Sequence, residues 1–242
     1  MTMHPDRDTA FYNEASTTYS SERYPAAPRS YRQFFFTRRL AVLVREMKPL
    51  LTRTNAPLSL LEVGCADGIV LRTLYDTFGP HFRELHGNDV SPGMIASAKH
   101  LHADTPLTFS VRTEEPEGSA YDMIIETGVI NYTDPATEIG YAASALKDAG
   151  SYILSYAGKG SLWDFFKPGR KGYQNLLPYP EFEALIQNKF EIEKTISIGF
   201  FVPLLWRLPF LAAPVQAVVE LLGSHIMPNL AHEKMYLLKK II

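Results

Sequence analysis

The stretch Leu60 to Thr73 reads LLEVGCADGIVLRT and contains the features that decide the fold. It begins within a short apolar run that is typical of a strand buried on both faces, formed by Leu58, Leu60, Leu61 and Val63. Three small residues, Gly64, Ala66 and Gly68, then keep the next turn almost free of side chains, so a ligand can approach the backbone closely. The stretch therefore predicts a buried strand, a glycine turn and a helix start that together hold a nucleotide-like ligand.

The spacing of this turn separates two kinds of binding site. A dinucleotide-binding turn reads GxGxxG, whereas this one reads ExGxAxG, with Glu62 two residues before the first glycine. A carboxylate at a strand end is better placed to receive a cation or an ammonium group than a pyrophosphate. An ordinary strand-to-helix turn of another α/β protein is the alternative interpretation.

The motif resembles the first motif of the class I S-adenosylmethionine-dependent methyltransferases, with Ala66 in place of the usual middle glycine. The resemblance implies S-adenosylmethionine as the cofactor. The residues that it places at this cofactor are Glu62, Gly64, Cys65, Ala66, Asp67 and Gly68.

Composition narrows the class of protein. A chain of 242 residues suits one large α/β domain, and its net charge of −2 gives no field for gripping a nucleic-acid backbone. The single cysteine, Cys65, excludes an internal disulfide, and the N-terminal sequence lacks the apolar core of a signal peptide. We expect a cytoplasmic protein with a small-molecule partner, no nucleic-acid partner and no metal.

The order of elements predicts a parallel sheet, because strand and helix signals alternate. Ser91-Pro92 and Asp134-Pro135 are each a capping residue followed by proline, the signal of a helix start. The predicted strands after the first are 85–89, 107–111, 121–126, 151–156, 190–198 and 233–239, and the predicted helices include 69–78 and 181–188. The fold class is thus α/β, a doubly wound, mostly parallel seven-stranded sheet of the Rossmann-like methyltransferase type with an antiparallel last strand.

We expect a single domain over 1–242. Residues 1–57 form an N-terminal helical cap and residues 58–156 the cofactor-binding core. Residues 157–242 form the substrate-side half, with an apolar insertion at 200–230.

Further cofactor contacts follow from strand ends, because ligands of open α/β sheets bind beyond the carboxyl ends of the strands. Asp89 ends the second strand and suits both ribose hydroxyls, although alone it is also explained as a capping aspartate. The surrounding GNDVSPGM resembles the family's second motif, which implies Val90 and Met94 at the adenine. The remaining expected cofactor residues are Tyr19 of the lead-in helix, Thr113 and Glu114 after the third strand, and Glu126, Thr127 and Gly128 at the methionine end. A solvated acidic loop is the alternative for Thr113 and Glu114.

The sequence identifies no catalytic base. An acceptor amine that arrives neutral needs none, whereas an alcohol needs a group within hydrogen-bond reach of its proton. The candidates are Tyr19, Asn131, Tyr132, His225 and His232, while His100 and His102 are expected at the surface.

The insertion from Phe200 to Leu230 is the most distinctive departure from the family pattern. It is too interrupted by proline and charge to span a bilayer. It predicts a lid over a hydrophobic acceptor, a dimer contact, a peripheral membrane segment, or a helical pair that completes the core. The basic loop before it, with Lys159, Lys167, Arg170 and Lys171, suits either an anionic group or solvent.

The leading hypothesis is a methyltransferase acting on an oxygen or nitrogen of a small, partly hydrophobic metabolite, sugar or lipid-like acceptor. The alternative is an inactive cofactor-binding regulator or scaffold of the same fold. The ExGxAxG spacing disfavours a nicotinamide-dependent oxidoreductase. The charge balance disfavours an enzyme that methylates nucleic-acid bases.

Overall fold

The computed structural model of the protein describes residues 10, 12–53, 56–112, 118, 120–166 and 176–241. Seven strands in this part of the chain form one sheet in the order β3-β2-β1-β4-β5-β7-β6. They are β1 Leu58–Val63, β2 Phe82–Asp89, β3 Thr108–Val111, β4 Tyr121–Thr127, β5 Leu146–Tyr156, β6 Phe190–Ile198 and β7 Glu233–Lys240.

Only β7 runs against the others, and it pairs antiparallel with both β5 and β6. The predicted parallel sheet with a reversed last strand is therefore confirmed. The reversed strand is not at the edge, however, because β7 lies between its neighbours and β6 forms the edge.

The helices of the described residues surround this sheet. They are α1 Tyr19–Arg23, α2 Tyr31–Leu51, α3 Ile69–Phe78, α4 Pro92–Leu101, α5 Pro135–Ala145, α6 Leu162–Phe166, α7 Tyr179–Gln187 and α8 Pro209–Ile226. Both predicted proline starts are confirmed: Ser91 Oγ accepts from Met94 N at 3.1 Å, and Asp134 Oδ2 accepts from Thr137 N at 2.9 Å.

The sheet separates two apolar cores. Leu60 and Ile125 point to the face that α2, α3 and α4 cover. Leu61 and Ile124 point to the opposite face, which α5 and α7 cover. Strands buried on both sides explain the unbroken apolar runs in the sequence.

The insertion forms the 3₁₀ turn Leu205–Arg207 and the single long helix α8. Most large apolar side chains of α8 are exposed, so the expectation of a helical pair that completes the core is wrong. Among the described residues, no helix is both long enough and apolar enough to cross a membrane.

Candidate functional site

The turn after β1 adopts backbone conformations that small residues favour. Gly64, Ala66 and Gly68 have φ of 69°, 48° and 82°, in the left-handed region. A Cβ on Gly64 would lie 2.3 Å from Cγ2 of Val129, in the loop after β4. The turn thus brings the ends of β1 and β4 into close contact.

Two carboxylates at this turn carry oxygens without a hydrogen bond in the described part of the chain, Glu62 Oε2 and Asp67 Oδ1. Glu62 is 3% exposed, and burial raises the pKa of its carboxyl well above the usual range. Nearby Asp89 and Asp67 raise this pKa further, whereas the backbone amide of Leu71, in the first turn of α3, lowers it. A bound cation would satisfy these oxygens and relieve the repulsion between the carboxylates.

Asp89 folds the turn as well as facing the site. Its Oδ2 accepts from Ala66 N at 3.0 Å and its Oδ1 from Ser91 N at 2.8 Å. Each carboxylate oxygen has two lone pairs, so these bonds leave capacity for a ligand's hydroxyls. Beside it, Val90 is exposed and Met94 is fully buried.

The N-terminal segment, which the sequence predicts to form a cap, is hydrogen-bonded to the turn and to the start of α4. Ser20 donates to Asp67 Oδ2 from its backbone N–H at 3.1 Å and also from its hydroxyl. Asn13 Oδ1 accepts from Ser91 Oγ at 2.7 Å and from Gly93 N at 2.9 Å. The cap is therefore tied to both the first and the second motif.

Tyr19 belongs to this cap, where burial raises the pKa of its phenol and the neighbouring Tyr24 raises it further. The guanidinium of Arg23 stacks 3.9 Å from the centre of the Tyr19 ring. A phenol held neutral in this way can donate a hydrogen bond to a ligand but is a poor proton acceptor.

Glu126 does not share a sheet face with Glu62. In the β1–β4 register Glu62 faces Ile125, and Glu126 points to the opposite side, where Tyr152 donates to its Oε2 at 2.5 Å. Burial, and then the nearby Glu138, raise the pKa of Glu126 to about 8. The strand-end carboxylates thus do not all converge, because alternate residues of a strand point to opposite faces.

The exit of β4 meets a buried arginine that the sequence analysis did not single out. A Cβ on Gly128 would lie 2.3 Å from Arg39 Nη1, and the same nitrogen is 3.4 Å from Glu233 Oε2. Both side chains are at most 6% exposed, and Thr127 lies in the same small cleft as Arg39. Burial opposes the charge of Arg39, but Glu233 overcomes it and raises the guanidinium pKa.

An aromatic cluster adjoins this ion pair and consists of Tyr31, Phe35, Trp163, Phe201 and His232. The His232 ring stacks on Trp163 at 5.0 Å and on Phe35 at 4.4 Å. Its Nδ1 lies 3.3 Å from the Tyr31 hydroxyl. Tyr31, Phe35 and Arg39 are spaced four residues apart on α2, a signal from which their common face could have been predicted.

The catalytic candidates are dispersed. The amide of Asn131 is used by the chain itself, donating to Ala157 O and accepting from Ala157 N, each at 2.9 Å. Tyr132 packs edge-on against Tyr12 of the cap at 6.3 Å. His225 is exposed on α8 with its Nδ1 2.8 Å from Leu221 O. Of the histidine candidates, only His232 lies in the aromatic cluster.

Three further expectations can be compared with the structure. Thr113 and Glu114 lie outside the described residues. Cys65 is a buried free thiol packed against Gly87. His102, expected at the surface, is buried and donates from Nε2 to Asp67 O at 2.9 Å, so this expectation is wrong. The described residues contain no group of three or more His, Cys, Asp or Glu that could hold a metal.

Residues 61–152 match the family model of a methyltransferase domain. A malonyl-acyl-carrier-protein O-methyltransferase of Anoxybacillus flavithermus is 32% identical over 107 residues, which are 43% of this chain and 40% of that protein. The match to this curated relative therefore spans about two fifths of its length.

Solved structures resemble nearly the whole chain. The magnesium protoporphyrin IX methyltransferase of Synechocystis, with bound S-adenosylhomocysteine, has a TM-score of 0.68 at 15% identity and covers 98% of this chain and 99% of its own. The cyclase SpnF has a TM-score of 0.67 at 16% identity, covering 100% and 98%. The N-methyltransferase NodS of Bradyrhizobium japonicum, in complex with S-adenosylhomocysteine, has a TM-score of 0.62 at 14% identity, covering 96% and 97%. At such identities these likenesses establish the fold.

Proposed function

Because the chain carries a methyltransferase domain of the class I S-adenosylmethionine-dependent type, we propose that it methylates an oxygen or nitrogen of a small, partly hydrophobic acceptor. S-adenosylmethionine is the cofactor of this domain and supplies an activated methyl group. The observation that carries the proposal is the pair of buried, unsatisfied carboxylate oxygens of Glu62 and Asp67 beside the glycine turn. They suit a cofactor with a cationic ammonium and sulfonium.

Different residues in and around the turn bind different parts of the cofactor. Glu62 and Asp67 receive the ammonium group, Asp89 accepts from the ribose hydroxyls, and Val90 and Met94 border the adenine. Gly64 leaves room for the backbone to approach the cofactor. Gly128 and Thr127 border the methionine end, and the cap from Asn13 to Ser20 excludes water.

The acceptor binds against the aromatic cluster. This cluster is joined to the cofactor end through Arg39, which contacts Gly128 on one side and Glu233 on the other. His232 directly precedes Glu233, the first residue of β7. An apolar acceptor surface fits the stacked rings of Trp163 and Phe201, 4.9 Å apart.

For a hydroxyl acceptor, the oxygen takes the methyl group from the sulfonium and loses its proton to His232, whose ring the Tyr31 hydroxyl orients through Nδ1. A carboxyl acceptor arrives ionised and needs no base. The relative from Anoxybacillus is named an O-methyltransferase, which favours an oxygen acceptor. For an amine acceptor, alignment of the nucleophile with the methyl group supplies most of the acceleration.

A catalytically inactive cofactor binder of the same fold is the second candidate, because the fold, which the cyclase SpnF shares, does not by itself imply methyl transfer. Calorimetry with S-adenosylmethionine and S-adenosylhomocysteine tests the cofactor, and Asp89→Ala should weaken both by about tenfold or more. A folded protein that binds neither compound would refute the proposal.

A screen of carboxyl, hydroxyl and amine acceptors with labelled methyl donor tests turnover. His232→Phe keeps an aromatic ring in the cluster but removes the proton acceptor. It should lower kcat for a hydroxyl acceptor about 10²-fold or more and leave cofactor affinity unchanged. Cofactor binding without any methylated product in the screen would favour the inactive binder.

The proposal also includes a contact of residues 200–230 with a membrane or a second copy of the chain. The surface of α8 decides between these partners.

A further inference from the structure

Helix α8 is amphipathic, but its large apolar side chains face outward and its small and polar residues face the protein. Its inward residues are small or polar: Ala212, Gln216, Glu220 and Gly223 are buried. Glu220 forms an ion pair with Arg38 of α2 at 2.6 Å, and Gln216 donates to Phe200 O. A helix that only completes a core would direct its apolar side chains inward instead.

The outward side of α8 is apolar over most of its length. Phe210 is 75% exposed and Ile226 is 70% exposed. The other exposed large apolar residues of the helix are Leu211, Val215, Val218, Leu221 and Leu222. At 100° per residue, these side chains and the small residues between them occupy roughly 200° of the helix circumference, about twice the stripe that a core-facing helix needs.

This surface continues beyond the helix. Leu204 and Leu208 precede α8 and Met227 follows it, all of them exposed. In α6, Phe165 is 79% exposed, and Phe166 lies 6.1 Å from Phe201 of the aromatic cluster, which precedes α8 in the chain. We call α8 with these flanking residues the apolar ridge. An exposed apolar surface of this extent marks a contact with a partner or a membrane.

By sequence, the two segments that contain the apolar ridge differ in charge from the rest of the chain, although three of their basic residues, Lys167, Arg170 and Lys171, lie outside the described residues. Residues 157–178 and 199–232 together contain five Lys or Arg and two Asp or Glu, a net charge of +3, whereas the remainder carries −5. Of the two acids, Glu220 is buried, and Asp164 accepts from the backbone of Gly160 at 3.0 Å. The net positive charge of these segments in the sequence favours an anionic surface as the partner.

We propose that the apolar ridge docks on a lipid bilayer that contains anionic lipids, with α8 lying in the plane of the interface. Helix α8 is 18 residues long, about 27 Å, and suits a position along the surface. A second copy of the chain would cover one side of the helix, but apolar side chains lie on its crest and on both flanks. Acyl chains surround such a ridge, whereas the same ridge on a second copy would cover only one side of it.

Docking on a bilayer would give the proposed methyltransferase access to a lipid-soluble acceptor, so this role of the ridge rests on the proposed function. The ridge is continuous with the aromatic cluster through Phe166 and Phe201, so a bilayer-dissolved acceptor reaches that cluster without crossing water. The acceptor class that this geometry favours is an amphiphile with its reacting oxygen or nitrogen near the headgroup level.

Flotation of the full chain with vesicles tests the docking. One set of vesicles contains phosphatidylcholine alone, and the other contains phosphatidylcholine with phosphatidylglycerol. We expect the protein to float with the anionic vesicles and to be released by high salt. The double variant Phe210→Ser/Leu221→Ser should reduce vesicle binding about tenfold or more.

The matched control is Leu101→Ser on α4, since Leu101 is similarly exposed but lies away from the ridge. This variant should bind vesicles as the wild type does. Absence of binding to both vesicle types, or equal binding by the double variant, would overturn the docking. So would a dimer in light scattering that the double variant abolishes while vesicles bind neither protein.

Failure of docking is distinguishable from failure of the proposed function. Calorimetry on the same double variant reports S-adenosylmethionine binding, which does not involve α8 and should be unchanged. If the wild type bound vesicles but did not bind S-adenosylmethionine, the proposed methyltransferase function would be contradicted and the docking would not.

Discussion

The contact between Gly64 and Val129 makes a sharp prediction for Gly64→Ala. The new methyl group would lie 2.3 Å from Val129 Cγ2 and 3.2 Å from Cγ1, so the valine must move. Overpacking of this kind costs about 1–3 kcal/mol. The left-handed φ of 69° adds about 1–2 kcal/mol for a residue with a Cβ. The smaller entropy of the unfolded chain returns about 0.4–1 kcal/mol.

The free energy of unfolding should therefore fall by about 2–4 kcal/mol, which urea denaturation of the cofactor-free protein measures. A double-mutant cycle separates the two causes, because Val129→Ala removes the clashing methyl groups but leaves the backbone strain. Gly64→Ala should cost about 1–3 kcal/mol less in the Val129→Ala background than in the wild type. Equal costs in both backgrounds would refute the steric argument.

Three further perturbations probe the ionisable groups. Glu62→Gln should weaken S-adenosylmethionine binding in calorimetry, yet stabilise the cofactor-free protein, because the folded-state pKa of Glu62 is raised. That stabilisation should appear as pH rises above the unfolded pKa of about 4.3 and vanish below it; a gain that persists at acidic pH contradicts the assignment. Glu233→Leu leaves Arg39 buried without its partner and should cost about 3–5 kcal/mol in urea denaturation, with most of it recovered in Arg39→Met/Glu233→Leu. The pKa of Asp122 is lowered to about 2, since its hydrogen bonds to the Ser59 amide and Lys147 outweigh the opposing effect of burial. Asp122→Asn should therefore cost stability at pH 7, about 1 kcal/mol or less after solvent screening, and the cost should shrink as pH falls from about 4 towards 2.

Local features of the sequence predicted the helices around the glycine turn well. The predicted helix at 69–78 has the bounds of α3, because a glycine turn and an amphipathic pattern define it locally. The caps at Ser91 and Asp134 are likewise local signals with local hydrogen bonds. The sheet face to which Glu126 points could also have been predicted, because alternation along β4 places it on the face of Ile124 and not on that of Ile125.

Features that depend on distant parts of the chain were not readable. Arg39 and Glu233 are 194 residues apart, and neither shows a local sign of its partner. The position of β7 between β5 and β6 is a choice among sheet orders that the strand pattern does not determine. In the insertion, an apolar sequence predicts burial by default, and only the structure reveals that Gln216 and Glu220 occupy the inward positions instead.

The proposed acceptor side lies outside the part of the chain that matches the methyltransferase domain model. The methyltransferase domain match ends at residue 152, whereas Trp163, Phe201 and His232 lie after it. Proteins named as a methyltransferase and as a cyclase share this fold, so the fold alone does not determine the reaction. Substitutions in the aromatic cluster should consequently change acceptor kinetics while the cofactor affinity stays constant.

Trp163→Leu tests this separation, because Trp163 stacks on both His232 and Tyr31. Loss of an aromatic contact worth about 0.5–1.5 kcal/mol should raise the acceptor KM by roughly 2- to 10-fold. The chain offers a matched control in its only other tryptophan, Trp206, which packs against Phe34 at 5.4 Å. Trp206→Leu should leave the acceptor KM unchanged, and the dissociation constant of S-adenosylmethionine should be the same in both variants. If Trp163→Leu weakened the cofactor and left the acceptor KM unaltered, the acceptor would have to bind elsewhere.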